Sequence, residues 1–271
     1  MRSSQMALRS KTCKFKRNGA PFLRGKGESM HRFFIAPDAV SGGEARIEGE
    51  DVQHIAKVLR LNPGDKVSIC DGHKMEYTAC IEHIERERVV LRILSQEDSK
   101  AEPNCMVTLY QGLPKAGKLE TIIQKCVELG VSRIVPFAAS RSVVRLTAQE
   151  FERKRPRYAR VAYEAAKQSR RGIVPEVCGL TALSAEDFNQ YDATLLAYEE
   201  EHGKTLKAAL NNVRPVDRLA LIIGPEGGFA PEEVALLQAS GAVSVSLGPR
   251  ILRTETAGMA AVAMALYELE F

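Results

Sequence analysis

The rhythm of hydrophobic and polar positions changes near residue 105. Between 31 and 96 the chain consists of short runs rich in β-branched and aromatic residues: "RFFIAP", "ARIEG", "KVSICDG", "MEYTACIEHIE" and "RVVLRILSQ". Turn signals at "NPGD" (62–65) and "DGHK" (71–74) separate them, so this stretch reads as a small β domain over 30–98. One helix is predicted at "EDVQHIAKVLRL", where Val52, Ile55, Ala56, Val58 and Leu59 fall on one side. The polar segment "EDSKAEPN" (97–104), with Pro103, reads as a linker. From 105 onward strand-like and helical runs alternate: "MVTLYQG" then "KLETIIQKCVELG"; "RIVPFAA" then a long helical region; "ATLLAYE" then "KTLKAALNN"; "LALIIG" then "APEEVALLQASG"; "AVSVSLG" then "TETAGMAAVAMALYELE". That alternation predicts an α/β domain over 105–271, a mostly parallel sheet with helices on both faces.

Composition narrows the class only slightly. Apolar residues make up 45% and charged residues 27%, ordinary for a globular chain, and no apolar run approaches the ~18 residues of a membrane span. The net charge of +4 changes the picture once it is divided. Residues 1–29 hold eight Lys/Arg against Glu28 alone, which leaves residues 30–271 at −3. Nucleic-acid binding must therefore come from a local patch. The basic extension has no hydrophobic h-region, which argues against a secretory signal. It fits an organelle transit peptide, a basic RNA-touching arm, or an upstream start with Met30 as the usual first residue. The last is preferred, because a strand pattern begins at "MHRFFIAP". Little fixed structure is expected before residue 30. The six cysteines form no C-x-x-C pair, so they read as free thiols in a reducing, cytoplasmic setting with no metal.

Three stretches carry candidate chemistry. "GLPKAGKL" (112–119) follows a strand and opens a helix, one residue short of a triphosphate loop. Leu119 supplies no hydroxyl for Mg²⁺ and no later strand ends in a metal-binding Asp, so the triphosphate reading is set aside. Two readings of Lys115 and Lys118 stay open: solvated lysines of a plain turn, or contacts to a polymer's phosphates. The other two stretches are "GPEGGFAPEE" (224–233) and "GPRILRTETAG" (248–258), both at predicted carboxyl ends of sheet strands, where open α/β sheets bind ligands. Neither is a dinucleotide fingerprint; together they predict a shared ligand crevice. Residues 141–172 hold ten Lys/Arg against three Glu, a lopsided run that suggests an RNA-facing stripe.

"LLAYEE" (195–200), "LIIGPEGGFAPEE" (221–233) and "VSLGPRILRTETAGMAAV" (245–262) resemble the three cofactor loops of the SPOUT methyltransferases. More narrowly, with "HRFFIAP", "HIAKVLRLNPGDKV", "QGLPKAGKLETIIQKCVELGVSRIVPF" and "YEAAKQSRRGIVPEV", residues 30–271 resemble the ribosomal small-subunit RNA uridine N3-methyltransferases. The resemblance implies a trefoil-knotted α/β domain, an N-terminal PUA-like β-barrel that binds RNA, a homodimer, and N3-methylation of a uridine in 16S ribosomal RNA from S-adenosylmethionine. It implies that backbone around Leu196, Ala197, Gly224, Gly227, Gly228, Leu247, Gly248, Ile251 and Leu252, with Thr256 and Ala257, surrounds the cofactor. Such chemistry needs no metal and no covalent protein intermediate. It needs an unpaired uracil and a cation or N–H aimed at O2 or O4 as the N3 proton leaves. Arg253 is the candidate for that cation, with Glu226 and Glu255 as carboxylates that orient it or take the proton. Arg32, Arg60, Lys115, Lys118, Arg141, Arg170 and Arg171 are the candidate RNA contacts. Methylation of another RNA position (a ribose 2′-hydroxyl or transfer RNA), or a non-catalytic RNA-binding role in ribosome assembly, are the alternatives.

Overall fold

The computed structural model describes residues 30–115 and 117–270; the predicted basic extension lies outside the described residues. The N-terminal part is one six-stranded sheet. Its strands are β1 (His31–Phe34), β2 (Val40–Ser41), β3 (Glu44–Glu48), β4 (Lys66–Cys70), β5 (Met75–Ile84) and β6 (Arg88–Asp98). Their order is β1-β4-β5-β6-β3-β2, antiparallel except for the parallel β1–β4 pair. The two predicted turns form as expected. Asp65 closes the first, its Oδ2 accepting from Asn62 N at 2.8 Å, and Asp71 Oδ1 closes the second by accepting from His73 N and Met75 N. Alternation turns Ala45, Ile47, Val89 and Leu91 inward onto Phe33, Val67 and Ile69.

The predicted helix departs from regular winding. α1 (Glu50–Gln53) widens into a π-helical segment over His54–Leu59, which ends at Arg60 in the left-handed region, φ 53°. Val52 and Ile55 stay in the core, but the wider turn leaves Val58 exposed on the far side. An i+3/i+4 pattern read from sequence assumes a 3.6-residue turn, and that assumption fails here.

The C-terminal part is an all-parallel sheet. Its strands are β7 (Met106–Gly112), β8 (Arg133–Phe137), β9 (Glu176–Val177), β10 (Ala193–Ala197), β11 (Arg218–Ile223) and β12 (Val243–Val245), in the order β12-β10-β11-β7-β8-β9. The helices are α2 (Lys118–Leu129), α3 (Ala148–Gln168), α4 (Leu206–Asn211), α5 (Pro231–Ala239) and α6 (Thr254–Glu270). Both sheet faces are covered, so the strands read as near-continuous apolar runs. On β11, Leu219, Leu221 and Ile223 face the core built by α2, α3, α4 and α6. Ala220 and Ile222 face a second core containing Val234 and Leu237 of α5. The chain steps outward from β7 to β9 and then returns, inserting β11 between β10 and β7. This reversal creates a crevice at the strands' carboxyl ends. Among the described residues no helix is long and apolar enough to cross a membrane.

The two parts meet along α3. Tyr163 OH donates to Asp51 Oδ2 at 2.7 Å, and Lys167 Nζ reaches Asp51 Oδ1 at 3.1 Å while lying 4.9 Å from the Phe33 ring centroid. Just beyond α3, Arg171 is 2% exposed. Its guanidinium makes a two-pronged bond to Glu102 (2.9 and 2.7 Å) and also donates to Val127 O and Val131 O. Arg171 O accepts from Arg32 Nη2, and Arg32 Nη1 pairs with Glu76 at 2.7 Å. Burial alone would raise the Glu102 carboxyl; Arg171 and the amides of Gly172 and Ile173 overcome it and hold the carboxyl below its usual value.

Candidate active site at the carboxyl ends of β10, β11 and β12

Three loops leave these adjacent strand ends and enclose a cavity of about 620 Å³. The β10 loop contributes Ala197, Tyr198, Glu199 and His202. The β11 loop contributes Gly224, Pro225, Glu226 and Gly228, and the β12 loop contributes Ser246 through Thr254. Ala257 in the first turns of α6 completes the lining.

Local sequence explains why the loops come so close. Gly228 has φ 66°, and a side chain there would collide with the Glu199 carboxylate. A Cβ on Gly112 would lie 2.5 Å from Pro225 N, so β7 can approach the β11 loop only because Gly112 has none. Pro231 sits in the first turn of α5. Glu233, three residues after Ala230, accepts from Ala230 N and also from Ser140 N and Oγ, all at 2.9 Å. That bond ties the loop after β8 to the site. Behind the cavity, buried Gln111 Nε2 donates to Thr254 Oγ1 (2.9 Å), which donates to Gly224 O (2.5 Å). One hydroxyl thus joins the ends of β7 and β11 to the start of α6.

Of the residues expected around a cofactor, Ala197, Gly224, Gly228, Leu247, Gly248, Ile251, Leu252 and Ala257 line the cavity. Three of the expected residues lie outside the lining. The Leu196 side chain is fully buried in the second core. Gly227 packs on backbone, with an ideal Cβ 2.5 Å from Arg141 O. Thr256 is exposed; Thr254, two residues earlier, takes the inward position. Sequence reasoning missed Tyr198, Glu199, His202, Arg250, Thr254 and Gln111. "AYEE" carries no turn chemistry, and nothing in the sequence tells a buried Gln from a surface one.

The expected catalytic residues divide in two. Arg253 and Glu226 line the cavity, and Arg253 is exposed to solvent. Glu255 is not in the lining. Neither carboxylate bonds Arg253; both are held by Lys118, whose Nζ lies 3.2 Å from Glu226 Oε1 and 3.1 Å from Glu255 Oε2. Lys115 N also donates to Glu226 Oε1 at 3.0 Å, while Glu226 Oε2 is buried without a partner. Burial pushes the Glu226 carboxyl upward; the amides of Lys115 and Glu226 itself and the Lys118 ammonium outweigh it and hold the group below its usual value. Glu255 follows the same balance, with its own amide, Lys118 and Arg253 opposing burial. Bonds to Glu255 and then Glu226 raise Lys118, so all three groups are ionised at neutral pH. Carboxylates depressed in this way are poor proton acceptors.

The expected RNA contacts divide as well. Arg60, Lys115, Arg141 and Arg170 are exposed. Arg171 and Arg32 are corrected: both are buried, Arg171 bonded to Glu102 and to backbone carbonyls, Arg32 to Glu76 and Arg171 O with its Nε left without a partner, and neither faces a polymer. Lys118 is 31% exposed and its ammonium bonds both carboxylates. Within the basic stripe, Arg155, Arg157, Arg160 and Lys167 pair with Glu152, Glu120, Glu50 and Asp51. Among the described residues Arg141, Arg145, Arg153, Lys154 and Arg170 have no ion pair within 4 Å. No cluster of His, Cys, Asp and Glu suited to a metal occurs among the described residues.

Comparison with known proteins gives this geometry a family. Residues 101–266 match the RNA methyltransferase domain family, and residues 47–94 match the RNA methyltransferase PUA domain. Ribosomal RNA small subunit methyltransferase E of Bacillus subtilis (strain 168) is 35% identical over 250 residues, 89% of this chain and 98% of that protein. The protein of the same name from Mycobacterium bovis is 32% identical, covering 86% of this chain and 88% of that one. The crystal structure of a ribosomal RNA small subunit methyltransferase E from Neisseria gonorrhoeae, bound to S-adenosyl methionine, superposes with a TM-score of 0.74. It is 29% identical, over 87% of this chain and 96% of that one. The chain belongs to the RNA methyltransferase family that includes ribosomal RNA small subunit methyltransferase E.

Proposed function

We propose that this protein methylates N3 of a specific uridine in 16S ribosomal RNA of the small subunit, using S-adenosylmethionine. The observation that carries the proposal is the cavity formed by the β10, β11 and β12 loops. Its volume suits a nucleoside-sized ligand. Leu247, Ile251, Leu252 and Ala257 give it apolar walls for an adenosyl group, and the Glu199 and Glu226 carboxylates place negative charge beside a cationic one. The unpartnered buried oxygen of Glu226 adds to that charge. The Neisseria relative carries the same ligand. When bound, S-adenosylmethionine supplies an electrophilic methyl group on a sulfonium.

The remaining work belongs to the chain. The loops must hold donor and base in line, about 3 Å apart. Loss of the N3 proton leaves negative charge on uracil O2 and O4, and the cation that stabilises it is Arg253, a reading supported by its presence in the cavity lining. Glu226 and Glu255 act by orientation. The exposed, unpaired Arg141, Arg145, Arg153, Lys154 and Arg170, with Lys115 and Arg60, hold the RNA phosphates. The proposal includes a homodimer, supported by the exposed apolar Met264 of α6 and Ile251 of the β12 loop and tested by sedimentation. It also includes a trefoil knot, supported by the insertion of β11 between β10 and β7. Single-molecule pulling tests the knot, because a tightened knot shortens the unfolded contour. The five described cysteines are free thiols, consistent with work in the cytoplasm.

The central test is incubation with tritiated methyl donor and small subunits lacking the modification, followed by nucleoside analysis. N3-methyluridine is expected; label on a ribose overturns the proposal. Arg253→Ala is expected to lower kcat by about 10²-fold or more with donor and RNA affinity retained. Undiminished turnover removes Arg253 from the chemistry.

A further inference from the structure

The lysine that the sequence offers as a phosphate ligand has another task. Lys118 opens α2, Glu226 lies in the β11 loop and Glu255 in the first turn of α6. One ammonium therefore reaches two segments 108 and 137 residues away, at 3.2 and 3.1 Å. Both segments border the cavity, one through Glu226 itself and the other through Arg253, two residues before Glu255. Lys118 is not among the cavity-lining residues.

We propose that Lys118 is a positioning residue for methyl transfer: it fixes the separation of Glu226 and Glu255, and through them the β11 loop, the start of α6 and Arg253. The inference rests on the methyl-transfer reading above. Without the ammonium, two carboxylates share one space and repel, and the segments that carry them separate. A group misplaced by 1 Å can cost about 10²-fold in rate. The second fastener, through Gln111, Thr254 and Gly224, joins the same elements deeper in the protein, so the fold survives loss of the first while its geometry at the cavity loosens.

Lys118→Met is expected to lower kcat roughly 10- to 100-fold and raise the donor Kd several-fold, with RNA Kd and its salt dependence unchanged. Lys118→Arg, which keeps the charge and gains a fork that can reach both carboxylates, is expected to restore most of the loss. The pH profile gives an independent readout. The charges facing Glu226 are Lys118 and the amides of Lys115 and Glu226; those facing Glu255 are its own amide, Lys118 and Arg253. Removing Lys118 raises both carboxyls, so the acid limb of activity is expected to move to higher pH.

A weaker RNA affinity in Lys118→Met, with a salt slope reduced by about one, makes Lys118 a phosphate ligand and overturns the proposal. Wild-type kcat and donor Kd in that variant also overturn it. Should Lys118→Met not fold, Glu255→Gln tests the same contact: reduced kcat with unchanged RNA Kd supports the proposal, and wild-type kcat overturns it. Failure of the methyl-transfer reading itself would appear in the wild-type protein, as absence of donor binding and of label in RNA.

Discussion

Two charge clusters join distant segments of this molecule, and they are built to opposite rules. Arg171 and Glu102 are 2% and 4% exposed, and their remaining donors and acceptors are met by carbonyls and amides of Val127, Val131, Gly172 and Ile173. Lys118, Glu226 and Glu255 are 31%, 19% and 20% exposed, and one oxygen of Glu226 is left without a partner. A sealed, saturated pair has nothing left to offer a ligand and serves the architecture. The half-open cluster instead borders the cavity, which Glu226 lines. Both clusters contain a residue that reads as an RNA contact in sequence, so charge alone does not separate the two uses; satisfaction of partners does.

The sharpest way to break the comparison is at the sealed cluster. Arg171→Met leaves Glu102 buried without its cation and is expected to cost about 3–5 kcal/mol, measured by urea denaturation. Its pH signature has a definite sign. The Glu102 carboxyl is held below the unfolded value of about 4.3, so its contribution is fully present above that pH and is lost as pH falls through the lower folded value. Glu102→Gln should flatten that acid-side slope; an unchanged slope would show that the pair is not the titrating unit.

A smaller effect on stability, but a larger one on function, is expected at the open side. Gly228→Ala forces a side chain at φ 66° toward Glu199. It should cost about 1–2 kcal/mol of stability and weaken donor binding roughly tenfold, equivalent to about 1.4 kcal/mol, by calorimetry. Donor affinity equal to wild type would mean that the donor does not use this loop. The smallest effect on stability is expected at Arg153→Ala and Lys154→Ala, within about 0.5 kcal/mol. Each should still reduce the salt slope of RNA binding by about one. A change in stability with an unchanged salt slope would assign these residues to the fold instead.

The parts legible in sequence were those where one physical requirement dominates. Parallel strands covered on both faces must be apolar runs, and β7, β8, β10 and β11 read as such. Loops that must pass backbone close to backbone need Gly and Pro, and "GPEGG" shows that need directly. What sequence could not show was partner choice. Arg170 and Arg171 are neighbours of the same type, yet one is exposed in the left-handed region and the other is sealed inside. The acid that seals it, Glu102, lies in a stretch that reads as linker. The π-helical turn at His54–Leu59 hides similarly, because its sequence fits an ordinary helix equally well. Thr254 and Gln111 became visible only when three distant segments were placed together.

The joint along α3 has a geometric consequence. Over 21 residues, a helix of this kind spans about 30 Å. Its carboxyl end is clasped by the N-terminal domain through Tyr163 and Lys167. Its amino end follows the segment in which Arg141 packs against Gly227. The span between the small domain and the candidate site is thus set by a helix, pinned at its end by the Glu102–Arg171 pair. One residue added within α3 would rotate everything beyond it by about 100° and take the small domain out of line with the candidate site.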